Sequence, residues 1–218
     1  LLAFMLGWLF GMAINFFHGK DQMTETLSTA AEEGKKQIAI TFDDGPNPEY
    51  TMKLLEGLKK RGVKATFFVL GEEVERYPDI LKAAYDDGHL IGVHSYQHVN
   101  FGQIGDAAAL EQVEKTRQAI YDVTGEYTGY IRPPYGCWKK ELDQELPMIE
   151  VLWDIDPLDW ATKDADTVVQ RVLQKCPDGS IILLHDASES SVCAAFTIID
   201  TLQKQGYEFV TVEELMLE

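Results

Sequence analysis

Residues 37–46 read Gln-Ile-Ala-Ile-Thr-Phe-Asp-Asp-Gly-Pro, an apolar run from Gln37 to Phe42 that ends in two adjacent carboxylates and a Gly-Pro turn. The run has the length and the β-branched and aromatic content of a buried strand. Neighbouring side chains on an extended strand point to opposite faces, so Asp43 and Asp44 cannot share one job unless the chain breaks there. If it breaks, both can tip toward one mouth. Two like charges that close are unfavourable unless a cation or a proton lies between them. A plain strand end with an Asp-Gly turn looks the same locally, so the decision rests with the rest of the chain.

Working outward, strand-like and helix-like segments alternate. Glu49 to Lys60 has helical spacing through Met52, Leu55 and Leu58, with Gly62 just past its end. Ala65 to Leu70 is a buried strand, and Glu72 to Asp87 a helix broken at Pro78 and closed by Gly88. Strands are expected at His89 to Val93, Tyr130 to Arg132, Ile149 to Trp153, Ser180 to Leu184 and Phe209 to Val212. Helices are expected at Ala107 to Val123, Lys139 to Leu146, Thr167 to Gln174 and Ala194 to Gln205. Seven strands alternating with helices, several apolar along their whole length, imply an α/β protein with a parallel sheet covered on both faces. An open doubly wound sheet and a closed (β/α) barrel both satisfy this pattern. No glycine-rich phosphate fingerprint follows the first strand, which counts against nucleotide-binding folds.

The 218 residues carry 19 Lys and Arg against 36 Asp and Glu, a net charge of −17. That field repels nucleic acid and anionic lipid and tolerates a neutral or cationic polymer. The three cysteines, Cys137, Cys176 and Cys193, show no metal-ligand spacing and read as small apolar residues in or near the core. Leu1 to Phe17 is uncharged, with Asn15 its one clearly polar side chain. At about 1.5 Å per residue it falls just short of a bilayer core of roughly 30 Å. It reads as an uncleaved membrane anchor, with a signal segment as the alternative. Residues 18–36 read as a polar linker, which leaves 37–218 as the globular domain and implies an extracytoplasmic, anchored or secreted protein. Nothing in the pattern indicates self-association, and a monomer is the expectation.

The polar residues gather at the C-terminal ends of the strands. Asp43 and Asp44 end the first strand. His94, Ser95 and His98 end the third, and Arg132 to Gly136 the fourth. Asp154, Asp156, Asp159 and Trp160 follow the fifth, and His185 and Asp186 end the sixth. In a barrel these ends share one rim, where catalytic groups sit. Three of the chain's five histidines fall there. His94 and His98 are four apart, which on a helical turn places both imidazoles on one side. Adding a carboxylate from the first strand completes a two-His, one-carboxylate set that suits Zn²⁺, or in its facial form Fe²⁺ or Co²⁺, with positions open for water and substrate. One aspartate then ligates, and the other remains free as a general base.

Thr41-Phe42-Asp43-Asp44-Gly45, His94-Ser95-x-x-His98, Arg132-x-Pro134-Tyr135, Asp156-x-x-Asp159-Trp160 and Leu183-x-His185 resemble, in order, the five motifs of the polysaccharide deacetylases, the carbohydrate esterase family 4 or NodB-homology proteins. The resemblance runs from about Gln37 to Glu214. It implies a distorted (β/α) barrel of about seven parallel strands with the active site at the strand C-terminal ends. It also implies a divalent metal, Zn²⁺ first with Co²⁺, Ni²⁺ or Fe²⁺ as alternatives, held by Asp44, His94 and His98. By the same resemblance Asp43 is the base that takes a proton from the attacking water, and His185 the acid that protonates the departing amine. Arg132 holds Asp43 ionised through a bidentate pair, and Asp159 orients His185. The Tyr135 backbone N–H stabilises the oxyanion, and Trp160 and Leu183 line an apolar pocket for the acetyl methyl. Tyr135, Trp138 and Trp153 are candidates for stacking on sugar rings. Ser95 is read as holding the turn between the histidines or as an N-cap. The stretch from Ala187 to Cys193 is less glycine-rich than the family pattern leads one to expect.

The activity this implies is N-deacetylation of GlcNAc residues in a polysaccharide, peptidoglycan first. Chitin, other poly-GlcNAc and acetylated xylan are the alternatives, and a catalytically inactive glycan-binding relative is the contrasting class.

Overall fold

The computed structural model describes residues 35–217. The proposed anchor, 1–17, and the linker through residue 34 lie outside the described residues. β1 (Lys36–Asp43) takes up Lys36, the last residue of the expected linker. The alternation along β1 organises the molecule. Ile38, Ile40 and Phe42 belong to the large apolar cluster shared with the helices, whereas Ala39 packs in a small inner cluster with Phe68, Val151 and Val212. Thr41 and Asp43 follow Ala39 on that inner side, both fully buried or nearly so. The inside of the sheet is therefore apolar at one end of β1 and polar at the other, and the polar end becomes the site.

Around β1 lie β2 (Thr66–Leu70), β3 (Leu90–Ser95), β4 (Tyr130–Ile131), β5 (Ile149–Glu150), β6 (Ile181–His185) and β7 (Tyr207–Val210). The sheet order is β5-β4-β3-β2-β1-β6, and every pairing is parallel. β1 is flanked opposite β2 by two strands in succession: β7 pairs Lys36 to Ala39, and β6 pairs Ala39 to Asp43. The two edges of the sheet approach each other. The chain beyond β5 crosses to β6, where the Asp154 and Ile155 N–H groups donate to the Ile181 carbonyl and the Leu183 N–H donates to the Ile155 carbonyl. This curl makes the architecture a distorted (β/α) barrel and not an open doubly wound sheet. The strand expected at Ile149 to Trp153 is cut to two residues because its later part leaves β4 for β6.

The helices are α1 (Thr51–Arg61), α2 (Gly71–Arg76), α3 (Pro78–Asp86), α4 (Asp106–Thr124), α5 (Ala165–Gln174), α6 (Glu189–Lys204) and α7 (Val212–Met216). Pro78 does separate α2 from α3, since a proline is tolerated at a first helical position and not in an interior. α6 begins five residues before the expected Ala194, because the Ser188 side chain accepts from the Ser191 N–H and caps the earlier start. The expected helix from Lys139 to Leu146 is a 3₁₀ turn, Lys140–Gln144. The last strand stops at Val210. Thr211 and Glu214 form a capping box that turns Val212 into a short helix the sequence reading missed. Val212 packs beside Ala39 and Phe68, so α7 covers the apolar end of the inner cluster. Among the described residues no helix is long and apolar enough to cross a membrane. The three cysteines are unpaired, and Cys193 is exposed, not near the core as expected.

Candidate metal centre and catalytic cleft

Both aspartates reach one mouth, and the break that allows it is at Asp44 itself. Asp43 is the last residue of β1 and points inward; Asp44 has φ 76°, a left-handed conformation that swings its carboxylate to the same side. Aspartate tolerates that region better than most side chains. The turn is held by the Asp44 N–H on the Phe68 carbonyl and the Leu70 N–H on the Gly45 carbonyl. Beneath it, Thr51 donates to the fully buried Asp186 and accepts from the Asn47 N–H.

His94 lies within β3, and His98 follows in a turn at φ 54°. The two imidazoles face one side as expected, but through a strand end and a left-handed turn, not a helical turn. Asp44 Oδ1 lies 3.5 Å from His94 Nε2 and 3.5 Å from His98 Nε2. Asp44 Oδ1 is buried and has no hydrogen-bond partner among the described residues. The His94 Nδ1–H donates to the Arg132 carbonyl oxygen at 2.7 Å, which leaves the Nε2 lone pair toward Asp44. Burial holds the His94 pKa down to about 3, so the ring is neutral, as a ligand must be. One ligand atom each from Asp44, His94 and His98 thus gathers within 4.8 Å of the others. The two 3.5 Å separations from Asp44 Oδ1 are near the edge of about 3.4 Å expected for a tetrahedron with bonds of about 2.0–2.2 Å. The residues fit a divalent cation.

Arg132 is the largest fully buried side chain among the described residues. Its Nη1 donates to Asp43 Oδ1 at 2.8 Å and to Thr41 Oγ1 at 2.6 Å, Nε to the Val151 carbonyl at 3.1 Å and Nη2 to the Leu152 carbonyl at 3.0 Å. The expected bidentate pair is therefore a single bond, because the guanidinium is shared with the crossover between β5 and β6. Burial raises the Asp43 pKa above its ordinary value, and Arg132 opposes that rise. A carboxylate made more basic by burial suits a proton acceptor. Removing Arg132 leaves a buried carboxylate and two buried carbonyls without their donor. Arg132→Met is expected to lower unfolding free energy by about 3–5 kcal/mol, which a urea titration would read; a loss below about 1 kcal/mol would contradict the shared-clamp account.

On the opposite wall, His185 Nδ1–H donates to Asp159 Oδ1 at 2.8 Å. The second Asp159 oxygen accepts from the His185 N–H at 2.9 Å and from Ser191 Oγ at 2.7 Å. Burial disfavours charge on His185, but Asp159, with Asp43 and Asp44, outweighs it and pushes the pKa up to about 9. A raised histidine pKa stabilises the fold fully below the ordinary value near 6.5 and loses that contribution as pH rises through about 9. A protonated His185 acting as a general acid would have the same window. The alkaline limb of kcat/KM is expected near pH 9, and Asp159→Asn is expected to move it to lower pH; a limb that stays in place in a pH-rate profile would show that Asp159 does not set it.

Asp43, Asp44, His94, His98 and His185 line one cavity of about 440 Å³, together with Tyr135, Trp153, Asp156, Trp160 and Leu183. Leu183 is buried, whereas Trp160 is 66% exposed at the rim and so is not core. Tyr135 has φ 60°, and its exposed ring meets His98 edge-on at 4.9 Å. The bonds of its turn run from Gly136 to Pro133 and from Cys137 to Pro134, and none uses the Tyr135 N–H. Trp138 is not in the cavity; it packs on Phe101 and donates to Asp143. Ser95 neither caps a helix nor spans the histidine turn, and its hydroxyl has no partner among the described residues. The sequence reading places Thr41 and Asp186 at strand ends without giving them a role, and it misses Thr51 and Ser191. Ser191 was within reach, because Ser188 carries the N-cap signature and fixes where the first turn of α6 points.

A model of the polysaccharide deacetylase family matches residues 30–150. The chain is 39% identical over 180 residues to the peptidoglycan-N-acetylglucosamine deacetylase PgdA of Listeria monocytogenes, covering 83% of this chain and 39% of that protein. It is 41% identical over 195 residues to the peptidoglycan-N-acetylmuramic acid deacetylase PdaC of Bacillus subtilis, covering 88% of this chain and 42% of that protein. The chain thus spans about two fifths of the length of these curated relatives. The solved structure of B. subtilis PdaC superposes with a TM-score of 0.82 at 42% identity, over 84% of this chain and 91% of that structure.

Proposed function

The chain belongs to the polysaccharide deacetylase family, and from that premise we propose that it is a metal-dependent hydrolase that removes N-acetyl groups from amino-sugar residues of a polysaccharide, peptidoglycan first. The observation that carries the reading is the convergence of Asp44, His94 and His98 in one cavity that Asp43 and His185 also line.

Asp44, His94 and His98 are the residues to hold a divalent cation, Zn²⁺ by the donor set, with Co²⁺, Ni²⁺ or Fe²⁺ also compatible. When bound, such a cation polarises the acetamide carbonyl and lowers the pKa of water. Asp43, kept in place by Arg132, accepts a proton from the attacking water. The Tyr135 N–H is free to donate to the oxygen that becomes negative. His185, protonated and held by Asp159, gives its proton to the sugar nitrogen as the C–N bond breaks, so that water and amide become acetate and amine. Leu183 and Trp160 offer the acetyl methyl an apolar wall. Trp153 and Tyr135 supply faces for sugar rings, whereas Trp138 is too occupied to do so.

Peptidoglycan is preferred because both curated relatives are named for it. An extracytoplasmic location follows from that substrate, and the apolar composition of residues 1–17 supports a tether to the membrane. Acetate release from peptidoglycan, GlcNAc oligomers and acetylated xylan, measured side by side with Zn²⁺ present, tests the substrate. Faster release from xylan or from chitin oligomers than from peptidoglycan would reassign it.

A further inference from the structure

A second groove lies at the other end of the sheet, by the N-terminal ends of β3 and β4. Its cavity of about 200 Å³ is bounded by the C-terminal parts of α3 and α4 and by α7. A neighbouring hollow shares Tyr85, His89, Leu90 and Glu213 with it, so the two form one groove. None of these residues belongs to the catalytic cavity.

Its floor holds a polar group without a use. His89 is 5% exposed, and its Nδ1 accepts from the Ala65 N–H at 3.1 Å. That bond places the ring proton on Nε2, which has no partner among the described residues. Burial holds the His89 pKa down to about 4, so the ring is a neutral donor and adds no positive charge to the groove. That N–H is offered to the groove His89 lines, where an acceptor on a ligand can take it.

The walls are aromatic and anionic. Tyr127 is 53% exposed, and its ring stacks on Tyr121 with centroids 4.4 Å apart. The Arg117 guanidinium lies 5.3 Å from the Tyr127 centroid. Tyr130 donates to Glu213 at 3.1 Å, and Glu126 lies against the Tyr85 hydroxyl. Neither glutamate is in an ion pair among the described residues. Two exposed carboxylates, each against a tyrosine hydroxyl, with tyrosine rings and a neutral imidazole donor, define what fits. The ligand has an apolar ring face, hydroxyl or ether oxygens for His89, and a cationic donor for Glu126 and Glu213.

We propose that this groove is a second saccharide site that binds the free amino sugar in preference to its N-acetylated form. An N-acetyl group would set a neutral methyl amide against the two carboxylates, whereas an ammonium pairs with them. The inference rests on the deacetylase reading for the origin of the ligand, since amide hydrolysis leaves each reacted unit with a protonated amine. The net charge of −17 draws a strand that has become cationic toward the protein. A protein bound to its own product strand stays beside units not yet reacted.

The test is equilibrium binding of a glucosamine tetramer and of an N-acetylglucosamine tetramer to the full chain and to Glu126→Gln/Glu213→Gln, both in an Asp43→Asn background that prevents turnover. The glucosamine tetramer is expected to bind the double variant at least about tenfold more weakly, while the acetylated tetramer binds both proteins alike. Tyr127→Ala, at an exposed position, is expected to weaken only the glucosamine tetramer. Equal binding of the glucosamine tetramer to parent and double variant, or binding to neither, would overturn the site. Acetate release by Glu126→Gln/Glu213→Gln with Asp43 intact separates this from the enzyme reading. Normal release with unchanged binding rejects the groove alone. Absent release from the parent with selective loss of glucosamine binding in the variant keeps the groove and rejects the deacetylase.

Discussion

Asp43→Asn is expected to lower kcat by about 10²–10⁴-fold while metal binding is unchanged. The asparagine has the same shape, and its carbonyl oxygen can still accept from Arg132 Nη1, so the clamp that ties β1 to the β5–β6 crossover survives. What is lost is a basic lone pair on a group with no other work in the cavity. Asp43 is not among the converging groups that could hold a metal, which are Asp44, His94 and His98. Metal content measured on the purified variant, alongside acetate release, reads the two consequences separately. A variant that loses its metal would mean that the two aspartates have exchanged roles.

His98→Ala and His185→Ala are expected to part company in the same pair of measurements. In the proposed metal site His98 is one of three donors. Removing it should weaken metal binding by more than the roughly 10–100-fold typical of an outer-shell partner, with activity falling alongside. His185 faces the centre from the opposite wall and is bonded to Asp159. His185→Ala should therefore keep its metal and lose about 10²–10⁴-fold in rate through the missing acid. Equal metal loss in both variants would sink the division into a ligand side and an acid side.

Much of this site was legible because its residues fall at strand ends, where a sequence pattern of apolar runs stopping in polar residues is easy to see. Asp43, Asp44, His94, His98, Arg132, Asp159 and His185 all lie where that pattern put them. What it could not supply was the geometry that makes neighbours cooperate. The left-handed turns at Asp44, His98 and Tyr135 are not marked by glycine, so no local rule flags them. The sharing of Arg132 among Thr41, Val151, Leu152 and Asp43 depends on a crossover that cuts β5 to two residues. Propensity alone reads that stretch as a longer strand. Thr51 and Asp186 are 135 positions apart in sequence, and only the folded chain sets one beneath the turn that carries Asp44.

If this cavity hydrolyses an N-acetyl group with a metal held by Asp44, His94 and His98, acetate release must depend on that metal. The most direct test is acetate release from a GlcNAc oligomer by protein stripped with chelator and then reloaded with Zn²⁺. The account predicts no release from the stripped protein and release restored on reloading, with Asp44→Ala inactive in both states. Equal acetate release before and after stripping, or none from the reloaded protein on any N-acetylated substrate, would contradict it.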